Sequence, residues 1–208
     1  MGTADVAPSA RTLRTVQLSL VAASVAGPAL NGASWLLGLE PSLAPSVCWL
    51  IASALIAVFA VAAHRLACRL GQAPSMSAGT LVALTLIPCV SIVGIPCALR
   101  VLAKPFAALT GDDGLVRRTT VAAVLYPVIA VGIGTFVTMA IVAMMFPPGD
   151  GASFDPALMA VAFTLPSLAA QSCLAAATYF LTSAARHAVD LRRDLASAGR
   201  GGPAAVSV

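Results

Sequence analysis

The short motif Ile-Pro-Cys occurs twice in the chain, at residues 87–89 and 95–97. Its two cysteines, Cys89 and Cys97, are eight positions apart, so on a continuous helix they would lie on one broad face. Thiolates bind soft metals such as Cu(I), Hg(II) and Zn(II), and a metal relay is therefore one interpretation of the motif. Neither end of the chain adds a cysteine or a histidine cluster that could collect a metal. We favour packing of both thiols as small apolar side chains.

Other potential metal ligands stand at the edges of apolar stretches. His64 and Cys68 are four residues apart, and His187 follows the last apolar stretch. A zinc site requires three or four ligands, and the sequence does not offer a closed set. The odd total of five cysteines also argues against a disulfide framework. We therefore predict no metal site and no cofactor.

Catalytic groups are missing from the interior of the apolar stretches. No Asp, Glu or His lies deep within them, and neither a Gly-x-Ser-x-Gly nor a His-Glu-x-x-His motif occurs. Proton-coupled transport and intramembrane hydrolysis usually use an ionisable group at membrane depth. The sequence therefore predicts no catalytic residue and a protein that is not an enzyme.

The composition places these residues in a membrane. The 208-residue chain is 59% hydrophobic and 10% charged, with a mean hydropathy of +0.95, whereas soluble domains contain about 25% charged residues. Five windows carry no charge, and each reaches the roughly 20 residues that a helix needs to cross a bilayer. These windows are 15–39, 41–64, 70–99, 119–149 and 156–185. The basic residues behind the net charge of +4 are dispersed at window edges, which favours contact with lipid headgroups and argues against binding of nucleic acid.

The predicted fold is an all-α polytopic transmembrane helix bundle, with four spanning helices and a proline-broken third segment. Residues 1–14 are expected to form a cytoplasmic tail, and residues 15–185 the transmembrane domain. Residues 186–208 are expected to form a cytoplasmic helix extension and a flexible tail, with Arg186 and Asp190 paired on one helix face. The five apolar segments are 15–38, 42–63, 77–99, 119–146 and 157–185.

The third segment contains Pro88, Gly94 and Pro96, which all disfavour a continuous helix. It can cross the membrane as a kinked span, lie on the surface, or enter and leave on one side as a re-entrant hairpin. In a hairpin interrupted over 88–95, each arm has about 11 residues, or about 16 Å of helix. Backbone broken at membrane depth must be covered, so we expect the four spanning helices to enclose it. The candidate functional site at this break comprises Pro88, Cys89, Gly94, Pro96 and Cys97.

The basic residues favour the hairpin. Five crossings would leave eight of the 12 basic residues on one side of the membrane and four on the other. A re-entrant third segment brings all 12 to the cytoplasmic side and leaves only acidic residues in the outer loops, namely Glu40, Asp150 and Asp155. The prediction is a bacterial inner-membrane (cell membrane) protein with both termini in the cytoplasm.

Amide side chains within the spans can satisfy the carbonyls of a broken helix. We predict that Asn31 or Gln171 acts as a clasp, within hydrogen-bonding reach of the backbone of residues 84–95. The alternative is that both amides pair between spans and do not approach the break.

Two functional hypotheses remain. The first is a subunit, scaffold or regulator of a membrane assembly, which acts through helix packing in the lipid bilayer on a membrane-protein partner or a second copy. The alternative is a small transporter or channel for a small solute or a soft metal ion, with its site at the Pro88–Pro96 break. A polar, wet cavity at residues 88–97 would favour transport, and a dry break would favour the contact role.

The predicted topology can be tested with reporter fusions. Reporters at the two ends should both give the cytoplasmic signal, and reporters at residues 40 and 150 should give the outside signal, because the basic residues then all face the cytoplasm. Opposite signals at the two ends would instead indicate five crossings.

Overall fold

The structure is a computed structural model that describes residues 6–37, 44–145 and 156–198, and within these ranges it contains helices and no strand. Five of its six helices are long and apolar enough to cross a membrane. The protein is thus an all-α helical bundle of the membrane-spanning type. Its helices are α1 (Val6–Leu36), α2 (Ala44–Arg69), α3 (Ala78–Leu86), α4 (Pro88–Thr110), α5 (Asp113–Met145) and α6 (Pro156–Ala198).

The helices pack around a core that is shared by α2, α4 and α6. Helix α1 packs against α2 and α6, α5 packs against α4 and α6, and the short α3 packs against α2 and α4. The largest fully buried side chains include Phe59, Phe106 and Leu181. Large apolar side chains such as Val128 and Leu165 instead point outward, which is the arrangement expected of a surface that faces lipid.

Several helices extend beyond the predicted segments. Helix α1 begins at Val6, so most of the predicted tail 1–14 is helical, because Ala10 and Leu13 are buried against the rest of the bundle. Helix α5 begins at Asp113, ahead of the predicted segment. Helix α6 continues to Ala198, beyond the end of the last predicted apolar segment at residue 185. The predicted flexible tail and outer loops lie outside the described residues.

The third segment is divided at a single residue. Ile87 has extended backbone angles (φ −76, ψ 114) between α3 and α4. Pro88 occupies the start of α4. An N–H at the first position of a helix has no acceptor within that helix, so α4 loses no hydrogen bond of its own through the proline. The prediction of a long interruption over 88–95 was therefore wrong: these residues are helical, and Pro96 lies inside α4.

Helix α3 folds back along α4. A Cβ atom built at Gly94 would overlap the carbonyl oxygen of Leu84. Ten residues of continuous helix would hold these positions about 15 Å apart, so the contact requires the chain to reverse at Ile87. Helix α3 has 9 residues, too few to cross a bilayer, whereas α4 has 23, more than the predicted half-helix. The segment forms the helical hairpin that the re-entrant alternative requires.

The hairpin is not enclosed by the spanning helices, contrary to our expectation. Helix α3 contacts only α2 and α4, and Val93 is 73% exposed. Part of the reason is local, since the N–H groups of Val90 and Ser91 both donate to the carbonyl oxygen of Ile87, at 3.0 and 2.8 Å. The hydroxyl of Thr85 likewise donates to the carbonyl of Leu81, at 3.0 Å. The turn therefore needs less cover than a long unpaired stretch would.

The close approach at Gly94 can be tested by adding one methyl group. Gly94→Ala should destabilise the protein by about 1–3 kcal/mol, because the new Cβ meets backbone atoms that cannot rotate away. The measurement is the thermal melting temperature of the detergent-purified protein. Gly132→Ala is the matched control, since a Cβ there has no neighbour within 4 Å. Equal melting temperatures of the two variants would show that the hairpin is not tightly packed.

Candidate functional site

The residues of the helix break are packed into the fold rather than arranged around a cavity. Gly94 and Pro96 are buried, and Cys97 is half-buried in α4. The side chain of Cys89 lies outside the described residues, so the predicted relation of the two thiols stays a prediction. The five cavities described for the protein contain no residue of 84–97. None of these five cavities therefore provides the polar, wet space at the break that transport there requires.

His64 has a structural partner at each ring nitrogen. Its Nε2 lies 3.1 Å from the carbonyl oxygen of Met76, which can only accept, so Nε2 is the donor of this bond. Nδ1 is then the acceptor for the thiol of Cys68, at 3.7 Å. These bonds hold the α2–α3 linker against α2. Within the described ranges, no three His, Cys, Asp or Glu residues come together in a way that could hold a metal ion.

A cavity of about 370 Å³, here called the polar cavity, opens between α1, α2 and α6. Cys48 lies in the first turns of α2, about 30 Å along that helix from Arg69 at the rise of an α-helix. The polar cavity therefore lies toward the end of the bundle opposite to Arg69. Its polar lining consists of Ser24, Asn31, Cys48, Trp49, Ser167 and Gln171.

The polar cavity contains an unsatisfied acceptor. The Oε1 atom of Gln171 is buried and has no hydrogen-bond partner, whereas Ser167 donates to the carbonyl of Phe163 on its own helix, at 2.7 Å. A buried amide oxygen without a donor is costly, and this oxygen has almost no surface open to the cavity. The cavity lining offers the amide groups of Asn31 and Gln171 to a small polar solute.

The structure places Asn31 and Gln171 together, in the same cavity and away from the break. Helix α1 packs on α2 and α6 and not on α3 or α4, so Asn31 faces the wrong part of the bundle for a clasp. Among the described residues, neither amide forms a hydrogen bond with the backbone of 84–95. The shared cavity was not apparent from the sequence, because periodicity shows which face a residue occupies and not which helix lies opposite.

Basic residues gather at one end of the bundle, here called the basic end, which contains the start of α1 and the ends of α2 and α6. Arg69 donates to the hydroxyl of Ser9, and Arg192 donates to the carbonyl of Arg69 at 2.8 Å. Arg118 forms the one ion pair found among the described residues, with Asp112. The predicted pair of Arg186 and Asp190 is not formed; both side chains instead line a pocket between α1 and α6.

Hydration of the polar cavity can be tested by thiol labelling. Cys48 and Cys97 are both half-buried and free, but only Cys48 lines the polar cavity. In variants that keep one cysteine and carry alanine at the others, a small water-soluble thiol reagent should modify Cys48 several times faster than Cys97, because the reagent reaches a thiol only through a hydrated space. Faster modification of Cys97 would place water at the helix break and restore the transport hypothesis there.

Comparisons with known proteins identify no match for this chain. The chain matches no family model, no curated protein and no solved structure. No residue role can therefore be transferred to the hairpin, the polar cavity or the basic end. What the protein does has to be inferred from the geometry of its own residues.

Proposed function

We propose that this protein is a non-enzymatic subunit, scaffold or regulator of a membrane assembly, and that it binds a partner helix at the tip of the α3–α4 hairpin. The observation that carries this proposal is the exposure of large apolar side chains around the turn, here called the hairpin tip. The hairpin tip comprises Leu86, Ile87, Val90, Ile92 and Val93, each between 38% and 73% exposed.

The backbone at the hairpin tip distinguishes it from ordinary lipid-facing surface. The carbonyl of Leu84 faces Gly94 within the hairpin, but the carbonyl of Leu86 loses its usual donor at the turn, because the N–H of Val90 bonds to Ile87 instead. An unsatisfied peptide group in hydrocarbon costs several kcal/mol. Lipid tails cannot supply a donor, whereas a packed helix can supply polar side chains and close backbone contact. A protein partner or a second copy therefore stabilises the tip more than lipid does.

The basic end supports the proposed orientation. Arg69, Arg118 and Arg192 all lie at that end, and cytoplasmic segments of membrane proteins carry an excess of Lys and Arg. In this orientation the basic end lies on the cytoplasmic side of a bacterial inner membrane. The hairpin then enters the membrane from the cytoplasm, and its tip meets the partner within the bilayer.

A second candidate function is the binding or passage of a small polar solute at the polar cavity. The unpartnered Oε1 of Gln171 beside Asn31 is the observation that favours it. This candidate moves the transport site from the Pro88–Pro96 break to the α1–α2–α6 interface. Vesicles that contain the purified protein would support it if they take up a small polar solute faster than protein-free vesicles do. Loss of that uptake in the Gln171→Leu variant would locate the site at the polar cavity.

The contact proposal can be tested by photo-crosslinking in cells. A photoreactive amino acid at Val93 should form one discrete protein adduct, because a partner helix covers that position. Val128 on α5, which is 61% exposed, is the matched control and should label lipid. The captured protein should also co-purify with the wild-type chain without crosslinking.

A steric block distinguishes a specific partner from chance capture. Val93→Trp should abolish co-purification while leaving membrane insertion intact, since tryptophan is tolerated in a bilayer, and Val128→Trp should leave co-purification unchanged. Lipid-only adducts at Val93, or a partner that survives Val93→Trp, would contradict the proposal.

A further inference from the structure

Four arginines from two helices surround one pocket at the basic end. Arg11 and Arg14 of α1 face Arg186 and Arg193 of α6 across a pocket of about 310 Å³, here called the arginine pocket. Its apolar wall is formed by Ala10 and Val189, which are 8% and 7% exposed. The two arginines of α1 are three residues apart and those of α6 seven apart, so each pair lies on one face of its helix.

These four guanidinium groups have no partner in the described part of the protein, unlike other arginines at the same end. Arg69, Arg118 and Arg192 donate to Ser9, Asp112 and a backbone carbonyl, respectively. The arginines of the pocket form no side-chain hydrogen bond and no ion pair. The bundle therefore secures some of its basic side chains and leaves these four directed at a common space.

The charge balance of the arginine pocket calls for an anion. Asp190 is the single acidic residue in its lining, so three positive charges stay uncompensated. Positive charges that line a common pocket repel one another, and an anion bound between them offsets this repulsion. The planar guanidinium fork matches phosphate oxygens in a bidentate manner, which favours a phosphate group over a simple halide.

The arginine pocket continues toward the membrane interior. A neighbouring cavity of about 470 Å³ shares Arg14, Arg186 and Asp190 with it and extends along the α1–α6 seam to Leu18 and Tyr179, past the polar side chains of Gln17, Thr182, Ser183 and His187. Leu18 and Tyr179 are 56% and 59% exposed. A charged head group with an attached acyl chain fits this arrangement, because the arginines can hold the head group while Leu18 contacts the chain.

We infer that the arginine pocket is a specific binding site for a phosphate group, and that its ligand is an anionic phospholipid whose acyl chain lies along the α1–α6 seam. The site differs from general attraction of basic residues to the membrane surface, because four arginines converge on one head group. It is independent of the partner surface at the hairpin tip, which belongs to α3 and α4.

The test uses the full-length protein purified in detergent. It is titrated with phosphatidylglycerol or with a phosphatidylcholine that carries the same acyl chains, and native mass spectrometry counts the bound lipid. Phosphatidylglycerol should bind about tenfold more tightly than phosphatidylcholine. The double variant Arg14→Gln/Arg186→Gln should lose about tenfold in affinity for phosphatidylglycerol. Inorganic pyrophosphate is added in a second arm, as a competitor without an acyl chain.

The matched control is Arg65→Gln/Arg100→Gln, which removes the same charge from exposed arginines that line none of the described cavities. Its affinity for phosphatidylglycerol should stay within about twofold of wild type. Equal losses in the two double variants, or equal binding of the two lipids, would overturn the lipid site. Pyrophosphate that binds wild type but not Arg14→Gln/Arg186→Gln, without any lipid preference, would support the phosphate site and overturn its lipid source. Melting temperatures of all variants check that each is folded.

Discussion

A peptide group within hydrocarbon must find its hydrogen bond inside the protein, and the bundle depends on this constraint. The long helices meet it along their length. The chain departs from it at Ile87, where Pro88 removes the donor that the carbonyl of Leu84 would otherwise receive. Gly94 compensates, because its Cα hydrogen occupies the place of a Cβ and points at that carbonyl, the geometry of a weak Cα–H···O contact. The proline ends one helix and the glycine lets the next one return beside it.

The same constraint explains where polarity collects. The hydroxyls of Thr85, Thr178 and Thr182 each donate to a carbonyl three or four residues earlier in their own helix. Those of Thr119 and Thr164 are buried without a partner. The amide of Gln171 has no such bond, and its oxygen stays without a donor. Asn31 lines the same space. Hydroxyls are thus dispersed through the core, whereas Asn31 and Gln171 come together in one space between α1, α2 and α6.

The sequence was sufficient for the features that depend on composition and on single residues. Uncharged windows predicted the membrane helices, and Pro88 predicted the break, because both effects are local. The extent of the break was overestimated, since a proline in the first turn of a helix interrupts less than one in its middle. The meeting of Asn31 with Gln171, and of Arg14 with Arg186, depends on how α1 packs against α6. Such contacts follow from tertiary packing, which helical periodicity does not specify.

Helices α1 and α6 link the two ends of the molecule. The polar cavity and the arginine pocket are both walled by this pair, and α6 is continuous over 43 residues between Pro156 and Ala198. Beyond the polar cavity the two helices are in close contact, because a Cβ at Gly32 would lie 2.5 Å from the hydroxyl oxygen of Thr164. The spacing of α1 and α6 is thus limited at one end by the contact of Gly32 with the side chain of Thr164, and at the other end the four arginines of the arginine pocket lie along the two helices. An anion bound to those arginines changes the polar cavity only if it binds one α1–α6 spacing more tightly than another. A ligand with equal affinity for two spacings leaves their populations unchanged.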